Sequence, residues 1–139
     1  MIRTINIKDV NYLNSWLNDF DNNFINHYDL KYYLENNDIY ISIVYELEDK
    51  IVGFMLAMKL LDEAEILVLY VDKMFRKKGI AKKLINYLID PVKSKSILLE
   101  VSNKNLPALC LYEKFEFKVI NIRKNYYQDS DAYVMRKVI

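Results

Sequence analysis

The chain has 139 residues, 53% of them hydrophobic, which suits one domain with a sizeable core. Lysine and arginine number 20 against 19 aspartates and glutamates, so the net charge of +1 excludes a general electrostatic attraction to nucleic acid or to a membrane surface. The single cysteine excludes an internal disulfide and a cysteine-rich metal site.

These properties set the broad expectations. No apolar run approaches the ~20 residues of a membrane span, and the first residues lack the apolar core of a signal peptide. We therefore expect a single domain over residues 1–139, located in the cytoplasm, without nucleic-acid, membrane or metal partners. Composition leaves the oligomeric state open.

The first part of the chain predicts one strand and two helices. Residues 2–7 alternate apolar and polar side chains, as an edge strand does. Asp9 is placed to cap a helix, and a second, short helix is predicted over residues 28–34, after a polar loop. The apolar face of the first helix carries Val10, Leu13, Trp16, Leu17 and Phe20. Trp16 is either a core residue or part of a substrate-lining wall.

Three strands are predicted next. Residues 39–45 and 51–58 are rich in β-favouring side chains, and the short polar connection between them predicts an antiparallel hairpin. Residues 64–71 form an almost uninterrupted apolar run. A strand with one face in water would alternate, so this run predicts a strand buried on both faces inside a sheet.

A basic loop that contains glycine follows the buried strand. Gly79 is one of only two glycines in the chain, and it stands where a backbone must adopt positive φ or approach a ligand. Helical spacing of apolar residues then predicts a helix over 80–89 that ends before Pro91. The first N–H groups of such a helix have no partner within it, so the junction favours an anion such as a phosphate. The alternative is a plain turn glycine.

A fifth strand is predicted over residues 97–101. The helix before it is long enough to make a parallel crossover from the 64–71 strand. Glu100 stands near the end of this fifth strand among apolar neighbours.

The remaining chain predicts a helix and two strands. Asn105 is placed to cap the helix, and Tyr112 lies two turns further along the same face. Cys110 lies on another face and is predicted to be a small core residue rather than a nucleophile. Residues 117–122 and 132–138 predict a final strand pair.

The basic loop before the predicted 80–89 helix carries a motif with a characteristic residue spacing. Arg76-x-x-Gly79-x-Ala81 resembles the Arg/Gln-x-x-Gly-x-Gly/Ala signature of the GNAT superfamily of N-acetyltransferases, which clasps the pyrophosphate of acetyl-coenzyme A. Neither of the two other common phosphate-loop patterns, G-x-x-x-x-G-K-[ST] and G-x-G-x-x-G, occurs in the chain. The resemblance implies an α/β (α+β) fold with a central mixed sheet of about seven strands flanked by about four helices.

The C-terminal segment is similar to one branch of this superfamily, the enzymes that acetylate protein N-termini, and above all to the bacterial ribosomal-protein alanine N-acetyltransferases. The shared motifs are Leu99-Glu100-Val101, Asn105, Leu111-Tyr112-Glu113, Arg123-x-Asn125-Tyr126-Tyr127 and Asp131-Ala132-x-x-Met135. Two positions depart from the pattern: Glu116 replaces a usual glycine, and Ser102 replaces a frequent arginine in a region that faces the incoming peptide.

The resemblance implies an acetyl-CoA site around the loop. The pyrophosphate is expected on backbone amides of residues 77–82, with Asn105 also touching the coenzyme and a backbone N–H of residues 69–71 meeting the reacting carbonyl. The expected cofactor-binding residues are Leu69, Tyr70, Val71, Arg76, Lys77, Lys78, Gly79, Ile80, Ala81, Lys82 and Asn105.

Acetyl transfer to an amine also needs a base and an acid. Glu100 is the expected base, with Glu65 as the alternative, and Tyr112 is the expected acid for the departing thiolate. The acceptor is expected to be a protein or peptide N-terminus. Two alternatives remain open: a small amine such as a polyamine, amino acid or aminoglycoside, and a coenzyme-binding regulatory module without catalysis.

Overall fold

The computed structural model describes residues 1–92 and 95–139, with side chains described outside residues 90–94. Its strands join in one seven-stranded sheet of order β1-β2-β3-β4-β5-β7-β6, in which only the β4–β5 pair is parallel. The strands are β1 (Ile2–Thr4), β2 (Tyr40–Leu47), β3 (Lys50–Lys59), β4 (Glu63–Val71), β5 (Ser96–Ser102), β6 (Lys118–Tyr127) and β7 (Ser130–Val138). The mixed sheet predicted from the sequence is confirmed.

Helices cover both faces of the sheet. They are α1 (Val10–Phe20), α2 (Phe24–His27), α3 (Leu30–Glu35), α4 (Ile80–Val92) and α5 (Leu106–Lys114). The face that packs against α1, α2 and α3 is called the α1 face, and the face that packs against α4 and α5 is called the α4 face. The described residues hold five α-helices rather than about four, because one short turn of helix, α2, lies inside the segment predicted as a loop.

The N-terminal strand is shorter than predicted, and Asp9 does not cap α1. The chain leaves the sheet after Thr4 because Asn6 opens a 3₁₀ turn, where its side chain accepts the N–H of Lys8 at 2.9 Å. The carboxylate of Asp9 accepts the N–H of Asn6 at 2.8 Å and forms an ion pair of 2.7 Å with Arg3. Both interactions tie β1 to the start of α1 instead of capping that helix.

Three further sequence predictions are corrected. Helix α4 extends to Val92, so Pro91 lies in its last turn, where a proline removes only one donor. Strands β6 and β7 extend to a two-residue turn, so residues 125–127, predicted as connection, belong to a strand. Cys110 is exposed rather than a core residue, because it lies on the outward face of α5.

Strand β4 has buried side chains on both faces, as its apolar run predicts, because helices pack on each side of the sheet. It also contains a β-bulge. The β3–β4 register pairs Leu56 with Val68 but Ala57 with Ile66, so Leu67 is the extra residue. Its side chain and that of Val68 both pack on the α1 face. The parallel pairing with β5 ends at the same point, with Ile66 opposite Leu99.

Helix α4 lies close to the sheet at Gly53. A Cβ built on this residue would stand 3.1 Å from Ile80 Cγ2 and 3.2 Å from Leu84 Cδ1. Both distances are tighter than ordinary van der Waals contact, so a glycine on β3 lets the first turns of α4 approach. The packing fixes where α4 begins.

Helix α5 ends in a Schellman motif that has glutamate where glycine is usual. The N–H of Phe117 donates to the carbonyl of Tyr112 at 3.0 Å, and the N–H of Glu116 donates to that of Glu113 at 3.0 Å. Glu116 therefore adopts the left-handed region, with φ of 69°. The motif folds Phe117 back onto Tyr112, with 5.6 Å between ring centroids.

We predict that Glu116→Gly stabilises the protein. Glycine adopts positive φ without the cost of a Cβ, so the free energy of unfolding should rise by ~1 kcal/mol in urea denaturation. The matched control is Glu113→Gly in the last turn of α5, where glycine should lower the same quantity by ~0.5–1 kcal/mol. Equal destabilisation by both changes would contradict the prediction.

Candidate active site

The end of the parallel pairing opens the sheet between β4 and β5. Beyond Ile66, β4 pairs only with β3, and beyond Leu99, β5 pairs only with β7. The N–H of Asp72 donates to the carbonyl of Val52 on β3 at 2.8 Å. Because hydrogen-bonding direction alternates along a strand, the N–H groups of Leu69 and Val71 face the opening, whereas that of Tyr70 faces β3.

The loop after β4 is built by side chains that bond to its own backbone. Asp72 accepts the N–H of Met74 at 3.0 Å, and the Nε of Arg76 donates to the carbonyl of Val71 at 3.0 Å. Arg76 is thus folded back toward β4, with its guanidinium 5.7 Å from the ring centroid of Tyr70. Its described contacts therefore order the loop.

The end of this loop presents backbone groups to an anion. Lys77 and Gly79 adopt positive φ of 64° and 80°. No atom lies within 4 Å of a Cβ built on Gly79. A glycine is therefore favoured at this position by the positive φ and not by a close neighbour, and the space beside its Cα is open. The first helical bond of α4 runs from the N–H of Lys83 to the carbonyl of Gly79. The preceding N–H groups, of residues 80–82, have no acceptor within the helix.

The expected cofactor-binding residues differ in whether their side chains or only their backbone groups are accessible to a ligand. Ile80 is buried and packs into the core of the α4 face, so only its backbone is available. Lys77, Lys78 and Lys82 are exposed, and Ala81 is half-buried. Asn105 is exposed at the start of α5, where its side chain accepts the N–H of Ala108 at 3.3 Å and caps the helix as predicted.

Tyr112 lies on the α4 face, in the core cluster formed there by β-strand and helix side chains. Burial raises the pKa of its phenol to about 12. The phenol therefore keeps its proton throughout the neutral range.

Two carboxylates lie on the other face of the sheet. Glu100 does not stand among the apolar side chains that flank it in sequence, because Leu99 and Val101 point to the α4 face. It forms an ion pair of 3.3 Å between its Oε1 and the Nε of Arg123. Burial, followed by the negative charge of Glu100, raises the pKa of Glu65, while the charge of Arg123 lowers it.

Aromatic side chains surround the carboxylates. Burial and the charge of Glu100 raise the pKa of Tyr127, which places this phenol near that carboxylate. The guanidinium of Arg123 lies 5.4 Å from the ring centroid of Tyr126. Burial, the charge of Asp21 and the neighbouring Tyr126 raise the pKa of Tyr28.

A second aromatic group lies toward the loop. The ring of Tyr70 contacts Trp16 with 5.0 Å between centroids and Phe20 with 4.2 Å. Trp16 is half-buried, so it is neither a fully buried core residue nor an isolated surface residue. The sequence predicted Tyr70 only as a backbone contact to the coenzyme and did not predict a role for Tyr28, because neither side chain stands in a spacing that indicates more than helix or strand.

Ser102, which replaces the usual arginine, lies near the turn of the β6–β7 hairpin. Its hydroxyl is 2.6 Å from that of Ser130, which is buried. It also accepts the N–H of Lys104 at 3.2 Å. In the position where an arginine would project, this chain therefore has a side chain that joins β5 to β7.

The described residues contain no cluster of three or more side chains able to hold a metal ion, and none of their helices is long and apolar enough to cross a membrane.

The described residues thus form a seven-stranded mixed sheet that opens between β4 and β5 beside a basic loop that contains glycine. The chain belongs to the acetyltransferase (GNAT) family, whose family model matches residues 10–117. The family predicted from Arg76-x-x-Gly79-x-Ala81 is confirmed.

Individual relatives support this placement. The chain is 40% identical over 96 residues to the [ribosomal protein bS18]-alanine N-acetyltransferase of Haemophilus ducreyi, covering 67% of this chain and 66% of that protein. It thus spans about two thirds of the length of that relative. Ard1 from Thermoplasma volcanium superposes with a TM-score of 0.79 and 27% identity, covering 100% of this chain and 97% of that one. Arabidopsis thaliana NAA60, solved with a bisubstrate analogue, has a TM-score of 0.82 and 24% identity, covering 100% and 97%.

We predict that the Tyr112 phenol titrates near pH 12 in the folded protein. In NMR spectra of protein labelled at the tyrosine ring carbons, the signal absent from Tyr112→Phe should keep its neutral chemical shift in wild type well above the ordinary pKa of ~10. The unfolded phenol loses its proton first, so the free energy of unfolding should fall as the pH rises from ~10 to about 12 and should not recover above that range. Tyr87→Phe, which removes a partly exposed phenol of α4, should leave that signal in place. Titration of the Tyr112 signal at the ordinary value would contradict the burial argument.

Proposed function

We propose that the chain is an acetyl-CoA-dependent N-acetyltransferase that acts on the α-amino group of a protein or peptide N-terminus. The observation that carries the proposal is the opening between β4 and β5, which has an anion-binding loop and a buried phenol on the α4 face and carboxylates with aromatic side chains on the α1 face. Two substrates can meet there from opposite faces. The names of the relatives, a ribosomal-protein alanine N-acetyltransferase among them, support this acceptor class.

On the α4 face, the chain offers a site for the coenzyme. The amides of residues 77–82 would hold the pyrophosphate, with charge from Lys77, Lys78 and Lys82. The free edge of β4 would hold the pantetheine arm by main-chain hydrogen bonds, and Asn105 would contact the coenzyme from α5. Acetyl-CoA supplies the activated acyl group. The N–H groups of Leu69 and Val71 face the opening and would stabilise the negative charge that develops on the carbonyl oxygen of the acetyl group.

On the α1 face, Glu100 would take the proton of the acceptor ammonium. An α-amino group has a pKa of ~7.7–8.0, so a modest base suffices near neutral pH. A specific observation favours the alternative, Glu65: its pKa is raised by burial, and among the described residues no cation lies within ion-pair distance of it. Both carboxylates lie on the same face, so the decision between them is experimental.

Tyr112 would give its proton to the departing thiolate. A phenol with a pKa of about 12 stays protonated until the thiolate forms. Phe117 packs against its ring and fixes its direction. The acceptor would lose one proton to the carboxylate before it attacks and a second as the amide forms, and the thiolate would take the proton of Tyr112. When Tyr112 and the carboxylate return to their starting states, one proton has been released to solvent for each acetyl group transferred.

Incubation with acetyl-CoA and a random library of N-terminal peptides, followed by mass spectrometry, tests the proposed function. We expect a mass gain of one acetyl group at the α-amino group of a subset of peptides. Gly79→Val is the matched negative control, since a β-branched residue is strained at φ of 80° and should abolish coenzyme A binding in calorimetry. Gly79→Asn, which tolerates this conformation, should retain binding. Acetylation of polyamines or aminoglycosides but of no peptide would show that the acceptor is a small amine and not a protein N-terminus. Binding of coenzyme A without acetyl transfer to any acceptor would indicate a regulatory module.

The pH dependence of transfer separates the two carboxylates. If Glu100 is the base, Glu100→Gln should lower kcat/KM most at low pH and recover partly above pH ~8, where the amine loses its proton unaided. Tyr112→Phe should lower kcat at every pH by ~10²- to 10⁴-fold. If Glu100→Gln keeps full activity and Glu65→Gln loses activity, Glu65 is the general base and Glu100 is not.

A further inference from the structure

The β6–β7 hairpin contains an irregularity beside the candidate acceptor site. Arg123 pairs with Ala132 and Tyr127 pairs with Ser130, so residues 124–126 of β6 face the single residue Asp131 of β7. A bulge of this size needs backbone outside the strand region, and Asn125 adopts positive φ of 52°.

The side chain of Asp131 holds this bulge. Its Oδ1 accepts the N–H of Asn125 at 2.8 Å, and its Oδ2 lies 3.8 Å from the ammonium of Lys124. The carboxylate is 23% exposed, whereas Lys124 is 79% exposed, so the backbone bond is the better shielded of the two interactions. The carbonyl of Asp131 also accepts the N–H of Asn103, which follows β5, at 3.0 Å.

The bulge determines where the side chains at its two ends point, those of Arg123 before it and of Tyr126 and Tyr127 at its end. Arg123 lies opposite Ala132, and Glu100 lies opposite Val134, so the guanidinium must cross β7 to reach Glu100 on β5. The small side chain of Ala132 leaves room for this crossing. The chain then turns so that Tyr126 brings its ring to the same guanidinium, and Tyr127 comes near Glu100.

The hairpin has other supports that do not involve the Asp131 side chain. Strand β7 pairs with β5 along its length, from Ser96 opposite Val138 to Ser102 opposite Ala132. The hydroxyls of Ser102 and Ser130 meet at 2.6 Å. Losing the carboxylate should therefore release the bulge without unfolding the hairpin.

We propose that Asp131 is a positioning residue for the acceptor: through the bulge of residues 124–126 it holds Arg123 against Glu100 and places Tyr126 and Tyr127 beside that carboxylate. The proposal rests on the proposed function, since it concerns the binding of a peptide N-terminus on the α1 face. Asp131 itself contacts neither substrate. It affects acceptor binding and leaves the coenzyme side unchanged.

Steady-state kinetics with a peptide that wild type acetylates test the proposal. Asp131→Val removes the acceptor of the Asn125 N–H and keeps a strand-favouring residue, and we expect KM for the peptide to rise roughly 10-fold with KM for acetyl-CoA unchanged. Asp131→Asn retains an oxygen acceptor and should behave nearly as wild type. Lys124→Ala, which removes only the exposed ammonium, is the control and should leave both KM values unchanged.

Hydrogen exchange of the Asn125 amide provides a readout independent of activity. Protection in wild type and Asp131→Asn, with loss in Asp131→Val, is expected. The proposal is overturned if Asp131→Val leaves the peptide KM unchanged, if it raises both KM values equally, or if the Asn125 amide is equally protected in all variants. If wild type transfers acetyl to no peptide, the proposed function and the acceptor role both fall. If Asp131→Val does not fold, the premise that other contacts support the hairpin is wrong and the proposal is overturned.

Discussion

The structure depends on where the parallel pairing of β4 and β5 stops. The β-bulge at Leu67 turns β4 away from β5 just after Ile66, so two strands in the middle of a sheet each lose a partner. Unpaired backbone inside a protein is costly unless a ligand or water satisfies it. The free edge of β4 therefore needs a hydrogen-bonding partner such as water or a bound ligand, and the residues that follow β4 lead directly into the loop before α4.

Because the opening passes through the sheet, it is lined by different kinds of side chain on the two faces. The α4 face has helix N-terminal amides, lysines and a phenol kept neutral by burial. The α1 face has two carboxylates, one arginine and a wall of tyrosines. The buried phenol and the carboxylates are therefore separated by the thickness of one sheet, and the proposed acid and base would act from opposite faces without neutralising each other.

The parts of the site that carry chemistry are held by unusual backbone in residues other than glycine. Glu116 places Phe117 on Tyr112, Lys77 shapes the loop before Gly79, and Asn125 stands in the bulge beside Arg123. Each costs conformational energy that an extended or helical residue would not. The surroundings compensate through specific bonds, such as that of Asp131 to Asn125. Glu48 and Asp49 also adopt positive φ, and they form the two-residue turn between β2 and β3, where this conformation is usual.

The sequence by itself determined the order of the strands and of the helices other than α2, the burial of β4, the special backbone position of Gly79 and the capping role of Asn105, because periodicity, glycine placement and cap chemistry are local. It also indicated Glu100 and Tyr112 through motif order. Only the tertiary structure decided that these two lie on opposite faces, that Glu100 meets Arg123 rather than apolar neighbours, and that Cys110 is exposed. The direction of Glu100 depends on strand register, because a shift of one residue turns every side chain of a strand to the other face. The positions of Tyr112 and Cys110 depend on how α5 packs on the sheet, which no local pattern specifies.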